Sequence, residues 1–142
     1  MTLANVIRAE LYATIATLRL GMNILLSREG VRADRFCAHG GLFKVKGVAQ
    51  QILADALDTS VSVMETAGEG GAWGMALLAA YMMRGEGKTL GEWLESEIFC
   101  GMETVTVSPT EAGRAGFAAY ADRFTRGLDA LRKLEEDLCL RN

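Results

Sequence analysis

The chain has 142 residues, half of them hydrophobic and 23% charged, with a net charge of −3. That is one domain's worth of chain with enough apolar content for a core, and a charge balance that gives no electrostatic case for nucleic acid or an anionic membrane surface. No apolar run reaches the roughly 18 residues that a membrane-spanning helix needs. The first ten residues lack a basic stretch ahead of an apolar one and do not read as a signal peptide. Three widely spaced cysteines and one histidine suggest neither a disulfide framework nor a metal site. A reducing, cytoplasmic setting is therefore expected.

The first predicted element is a long helix over 3–26. Ile7, Leu11, Ile15, Leu18, Met22 and Leu25 recur at steps of three and four and share one face. A polar connection containing Gly30 leads to a strand predicted over 33–38, which is short and apolar enough to be a buried parallel strand. The strand ends in the pair Gly40-Gly41. A helix follows over 47–57, with Val48, Ile52, Leu53, Ala56 and Leu57 at helical spacing, and Asp58-Thr59 breaks it. Residues 60–64 alternate and favour a second strand. Helix, strand, helix, strand predicts parallel pairing.

Residues 70–83 are apolar nearly all round and rich in small side chains, which predicts a helix buried on most sides. A short helix is expected over 89–98, and a loop or brief edge strand over 103–107. In Ser108-Pro109-Thr110-Glu111, serine can cap, proline suits the first helical position and glutamate can close a capping box. Phe117, Tyr120, Phe124, Leu128, Leu131, Leu134 and Leu138 then mark a C-terminal helix. No linker interrupts the chain, and residues 1–142 read as a single domain.

Strand, glycine turn and helix is an arrangement that brings backbone N–H groups up to a phosphate or a nucleotide edge. Lys44 and Lys46 flank the turn, where they meet either phosphate or solvent. Cys37 and His39, at the strand end, are expected to point to opposite faces, which disfavours a thiol enzyme. Glu65 and Glu69 are four apart but straddle a helix start, and Glu69 suits the positive end of that helix. There is no convincing nucleophile–base pair and no metal cluster.

The order of features resembles the C-terminal part of a carbohydrate kinase of the FGGY family. The resemblance is carried by Arg8-Ala9-Glu10 on the first helix, by Gly40-Gly41-Leu42-Phe43-Lys44, by Gln51-Ile52-Leu53-Ala54-Asp55, by the strand Val61-Ser62-Val63 and by the run Glu69 to Ala79. It covers residues 3–85 well and is slightly nearer to ribulokinases than to xylulokinases. It implies an α/β fold, a partial actin-like, ribonuclease-H-like ATPase domain with short parallel strands and packed helices. It further implies that Gly40 and Gly41 form the adenosine-binding motif of an ATP site, with Leu42, Phe43 and Lys44 lining or flanking the pocket. Ala72 to Ala76 would belong to a helix near the interdomain hinge. Leu42 and Phe43 depart from the family pattern, which has a third glycine and a small residue there, and Trp73 replaces a leucine-like position.

The same resemblance implies ATP and Mg²⁺ in the parent enzyme, a ketopentose-type sugar as acceptor, and an N-terminal kinase domain as partner. Asp34, Asp55 and Asp58 do not match the family's catalytic aspartate, so no catalytic residue is assigned and the chain alone is expected to be inactive. The alternative is a non-catalytic module that self-associates, as a homodimer for example, through the apolar faces of 3–26 and 70–83.

Overall fold

The computed structural model describes residues 2–64 and 69–139. The elements in chain order are α1 (Leu3–Asn23), β1 (Arg35–Ala38), α2 (Val48–Leu57), β2 (Ser60–Met64), α3 (Gly70–Arg84), α4 (Leu90–Trp93), β3 (Thr104–Val107) and α5 (Glu111–Cys139). A π-helical turn, Ile24–Arg28, prolongs α1, and another, Leu94–Ile98, prolongs α4.

The strands form one sheet in the order β1-β2-β3. β1 and β2 are parallel, as the helix–strand alternation predicts, with Phe36 opposite Val61 and Ala38 opposite Val63. The expectation of parallel strands fails at β3, which runs antiparallel to β2. β3 is mostly exposed, because an edge strand with one partner and alternating Thr and Val needs cover on only one side.

Strand alternation places Phe36, Ala38, Val61, Val63 and Val107 on one face, and α1, α2 and α5 pack there. Ile15, Ala16, Leu53, Ala54, Leu57 and Phe117 complete the core with Ala38 and Val61. Burying a residue such as Ile15 or Phe117, 2% and 3% exposed, contributes about 1.5–3 kcal/mol each. Tyr12 meets Phe117 and Tyr120 edge-on, with ring centroids 5.3 and 5.2 Å away, and so locks α1 to α5. The opposite sheet face carries Cys37, Ser62 and Thr106 in one register row, and the Ser62 and Thr106 hydroxyls are 2.6 Å apart.

α2 is the hub. It stops at Asp58, which adopts the left-handed conformation at φ 51° and donates its N–H to Ala54. Gln50 on its first turn is 3% exposed and donates its amide to the carbonyls of Val61 and Val105 at 2.9 and 2.7 Å. One side chain thus ties the helix to both β2 and β3.

Two expectations need correction. α3 has no buried residue, and Met75, Met82 and Met83 are 69%, 86% and 86% exposed. An all-round apolar pattern records that a helix needs cover, not that its own chain supplies it. α5 starts at Glu111 rather than Pro109, with the Thr110 hydroxyl accepting the Gly113 N–H at 3.1 Å, so Thr110 and not Ser108 is the cap.

Candidate functional site

The glycine turn sits at the C-terminal end of β1, where open α/β sheets receive their ligands. Gly40 lies at φ 111°, ψ 172°, a backbone geometry closed to side-chain-bearing residues. The chain then winds into one 3₁₀ turn, Gly41–Lys44, closed by the Phe43 N–H donating to the Gly40 carbonyl at 3.0 Å. A Cβ at Gly40 or Gly41 would meet nothing within 4 Å, so the backbone here is open to approach. Gly47, at φ 83°, turns the chain into α2.

The five expected residues occupy this one turn with different orientations. Leu42 is 38% exposed. Phe43 is half-buried and packs against the core cluster, so its bulk is absorbed by the interior. Lys44 is not left waiting for an anion: its Nζ is 2.7 Å from Glu69 Oε1. The hydrogen bond from Lys44, and then its charge, hold the Glu69 carboxyl below its ordinary range. Glu69 occupies the position just before α3, so this pair links the turn to the start of that helix. Its role is that partnership rather than the helix dipole alone. Glu65 lies outside the described residues.

A second contact joins the same two places. A Cβ at Gly70 would fall 2.6 Å from His39 Cβ, so the histidine rests directly on the first residue of α3. His39 also corrects an expectation. Residues two apart on a strand share a face, and His39 Nε2 stands 3.5 Å from Cys37 Sγ.

Neither Asp55 on α2 nor Asp58 just past its end is placed for chemistry at the turn. Asp55 accepts from Gln51, from the Thr110 N–H and from the Thr110 hydroxyl, at 3.0, 2.7 and 3.2 Å. Asp58 pairs with Arg114 at 2.9 Å. The described residues contain no group of three or more His, Cys, Asp or Glu that could hold a metal ion. They also contain no helix long and apolar enough to cross a membrane. Periodicity did not reveal a groove of about 460 Å³ between α1, α2 and α5, lined by Arg19, Asn23, Asp58, Arg114, Phe117 and Asp122 among others. Its walls come from three separate segments, and no local pattern encodes their meeting.

The model of the FGGY family of carbohydrate kinases, C-terminal domain, matches residues 1–83. The chain belongs to the FGGY family. The match spans α1, the glycine turn, the Gln51–Asp55 stretch of α2, β2 and nearly all of α3, which include the segments that carry the resemblance. No curated protein and no solved structure matches the chain. For an FGGY C-terminal domain, the mixed three-stranded sheet and five α-helices of the described residues are a partial form of the actin-like ATPase architecture. A C-terminal domain of such a kinase also implies an N-terminal counterpart.

Proposed function

We propose that this domain supplies the adenosine side of the ATP cleft in a carbohydrate kinase acting on a ketopentose-type sugar, and that it is inactive without its N-terminal partner. The observation that carries the reading is the Gly40–Lys44 turn. It combines a glycine backbone with open space in front of it, a location at the end of a parallel strand, and a place within the family match.

The residues present fit an adenosine moiety in simple ways. Gly40 and Gly41 let a flat base or ribose approach the main chain without meeting a side chain. Leu42 offers an apolar edge, and Phe43 anchors the turn from behind. Lys44, held by Glu69, fixes the turn against α3. ATP would supply the transferred phosphoryl group, and Mg²⁺ would neutralise charge developing on it. No described residue of this chain is assigned to Mg²⁺ or to proton removal from the sugar. In-line phosphoryl transfer depends on positioning both reactants, so half a cleft is expected to be inactive.

The test is a phosphoryl-transfer assay with the 142-residue chain, ATP, Mg²⁺ and a panel of ketopentoses. No turnover is expected. Sugar phosphate formed by this chain alone would overturn the claim of inactivity. The assay is then repeated after adding an N-terminal FGGY domain, and sugar phosphate should appear only in the mixture. With that domain bound, Gly40→Val should weaken ATP use.

A second reading, a non-catalytic module that self-associates, is favoured by the bare apolar face of α3, where Met75, Leu78, Met82 and Met83 are exposed. Contiguous exposed apolar surface of this kind promotes association.

A further inference from the structure

The Cys37–His39 pair is not used by the nucleotide reading, and its geometry has chemistry of its own. Cys37 is free and exposed, and its Sγ is 3.5 Å from Nε2 of an exposed His39. Both parts are held. Cys37 is fixed in the β1–β2 ladder opposite Ser62. His39 is backed by Gly70, where even a methyl group would collide with it. The imidazole is therefore seated against a helix start beside the thiol. Cys100 and Cys139 are also free and exposed, but His39 is the chain's only histidine, so neither of them has such a partner.

A thiol becomes nucleophilic when an adjacent base takes its proton and the sulfur is accessible. Hydrolytic thiol chemistry needs more, namely a group orienting the base and donors for an oxyanion. Among the described residues His39 has no side-chain hydrogen-bond partner other than Cys37. Thiol–disulfide exchange needs only the activated sulfur and access to it.

We propose that Cys37, activated by His39, is a modification site that takes low-molecular-weight disulfides. In the tautomer with Nε2 unprotonated, His39 accepts the Cys37 thiol proton. The sulfur attacks one sulfur of the disulfide. A Cys37–S–S–R bond forms as the original S–S bond breaks, and the released thiolate takes the proton from the imidazolium and leaves as RSH. The incoming disulfide is the oxidant, half of it being reduced to thiol while Cys37 is oxidised.

The test does not depend on nucleotide binding. The 142-residue chain is incubated with bis(2-hydroxyethyl) disulfide, an uncharged probe, and adduct formation at each cysteine is followed by peptide mass mapping. Cys37 should react about tenfold faster than Cys100 or Cys139. His39→Gln should abolish that advantage while leaving the Cys100 rate unchanged. Near-equal rates at the three cysteines of the unmodified chain would overturn the proposal, whatever the variants do. So would a Cys37 rate that is indifferent to His39→Gln. If the variant loosens the fold, Cys100 accelerates with it, and the rate ratio within the unmodified chain decides.

Discussion

The Asp55 carboxylate receives the Thr110 N–H at 2.7 Å, fastening the end of α2 to the start of α5. Gln51 props the same oxygen at 3.0 Å and donates at 3.0 Å to the Ser108 carbonyl. The Gln-x-x-Ala-Asp stretch is thus a clamp on the loop before α5. Gly113, in the first turn of that helix, faces the carboxylate so closely that a Cβ there would overlap it.

Gly113→Ala therefore tests the clamp against helix propensity. In an ordinary helix interior, alanine would stabilise by about 1 kcal/mol. Here the added methyl must displace Asp55, so a net loss of about 1–3 kcal/mol is expected. Asp55→Ala should cost a similar amount by removing the acceptor of the Thr110 N–H and hydroxyl. Urea unfolding checks both, and a more stable Gly113→Ala chain would refute the clamp.

Gln50 gives a second, independent site. Gln50→Leu removes two donors from carbonyls on β2 and β3 and should cost about 1–3 kcal/mol. Gln50→Glu should cost more when ionised, because it turns a carboxylate toward two carbonyl oxygens. The urea midpoints of the two variants, measured at neutral pH, give the ranking.

Three carboxyls are held below their ordinary range: Glu69 by Lys44, Glu97 by Lys88, and Glu92 chiefly by the Thr89 backbone N–H in a capping box. A depressed carboxyl pKa contributes stability above its unfolded value, and that contribution is lost as pH falls through the folded value. Lys88 is raised, chiefly by its hydrogen bond to Glu97, so its share is lost on the alkaline side, as pH rises through its folded value. All four groups are exposed, so the effects on stability are small. Carbon-detected NMR titration should show Glu69 and Glu92 titrating below a glutamate in an unstructured peptide. Lys44→Gln should return only Glu69 toward that reference, whereas Thr89→Ala, which removes the hydroxyl bond but keeps the backbone N–H, should move only Glu92 and only part of the way.

The exposed apolar face of α3 predicts concentration-dependent assembly of the chain on a sizing column. Met75→Glu with Met82→Glu should shift the chain toward monomer without lowering its melting temperature, since both side chains are already exposed. A monomer at every concentration would remove the self-association reading.

What was legible in the sequence is what repeats locally. Val48 to Leu57 and Phe117 to Phe124 showed the helices that face the core, and the alternation of helix and strand predicted the parallel β1–β2 pair. What was not legible depends on partners distant in sequence. Asp55 recruits Thr110 across 55 residues and so resets the start of α5 past the serine and proline that suggested an earlier one. Composition could not tell whether α3 is covered, because that depends on surfaces outside its own pattern. At the site, the glycine turn was readable from Gly40-Gly41, whereas the capture of Lys44 by Glu69 was not. The Cys37–His39 contact follows from the period of two and was readable in principle.

The central claim, that the Gly40–Lys44 turn is an adenosine wall, is tested most directly by titrating the isotope-labelled chain with ADP and following backbone amide shifts. On the proposed reading, in which an N-terminal domain supplies the opposite wall, binding by the 142-residue chain alone should be weak and in fast exchange. The shifts should be concentrated at Gly40, Gly41, Leu42, Phe43 and Lys44 and abolished by Gly40→Val. Unmoved amides at the turn up to millimolar ADP, or shifts centred instead on the Arg19–Arg114 groove, would contradict it.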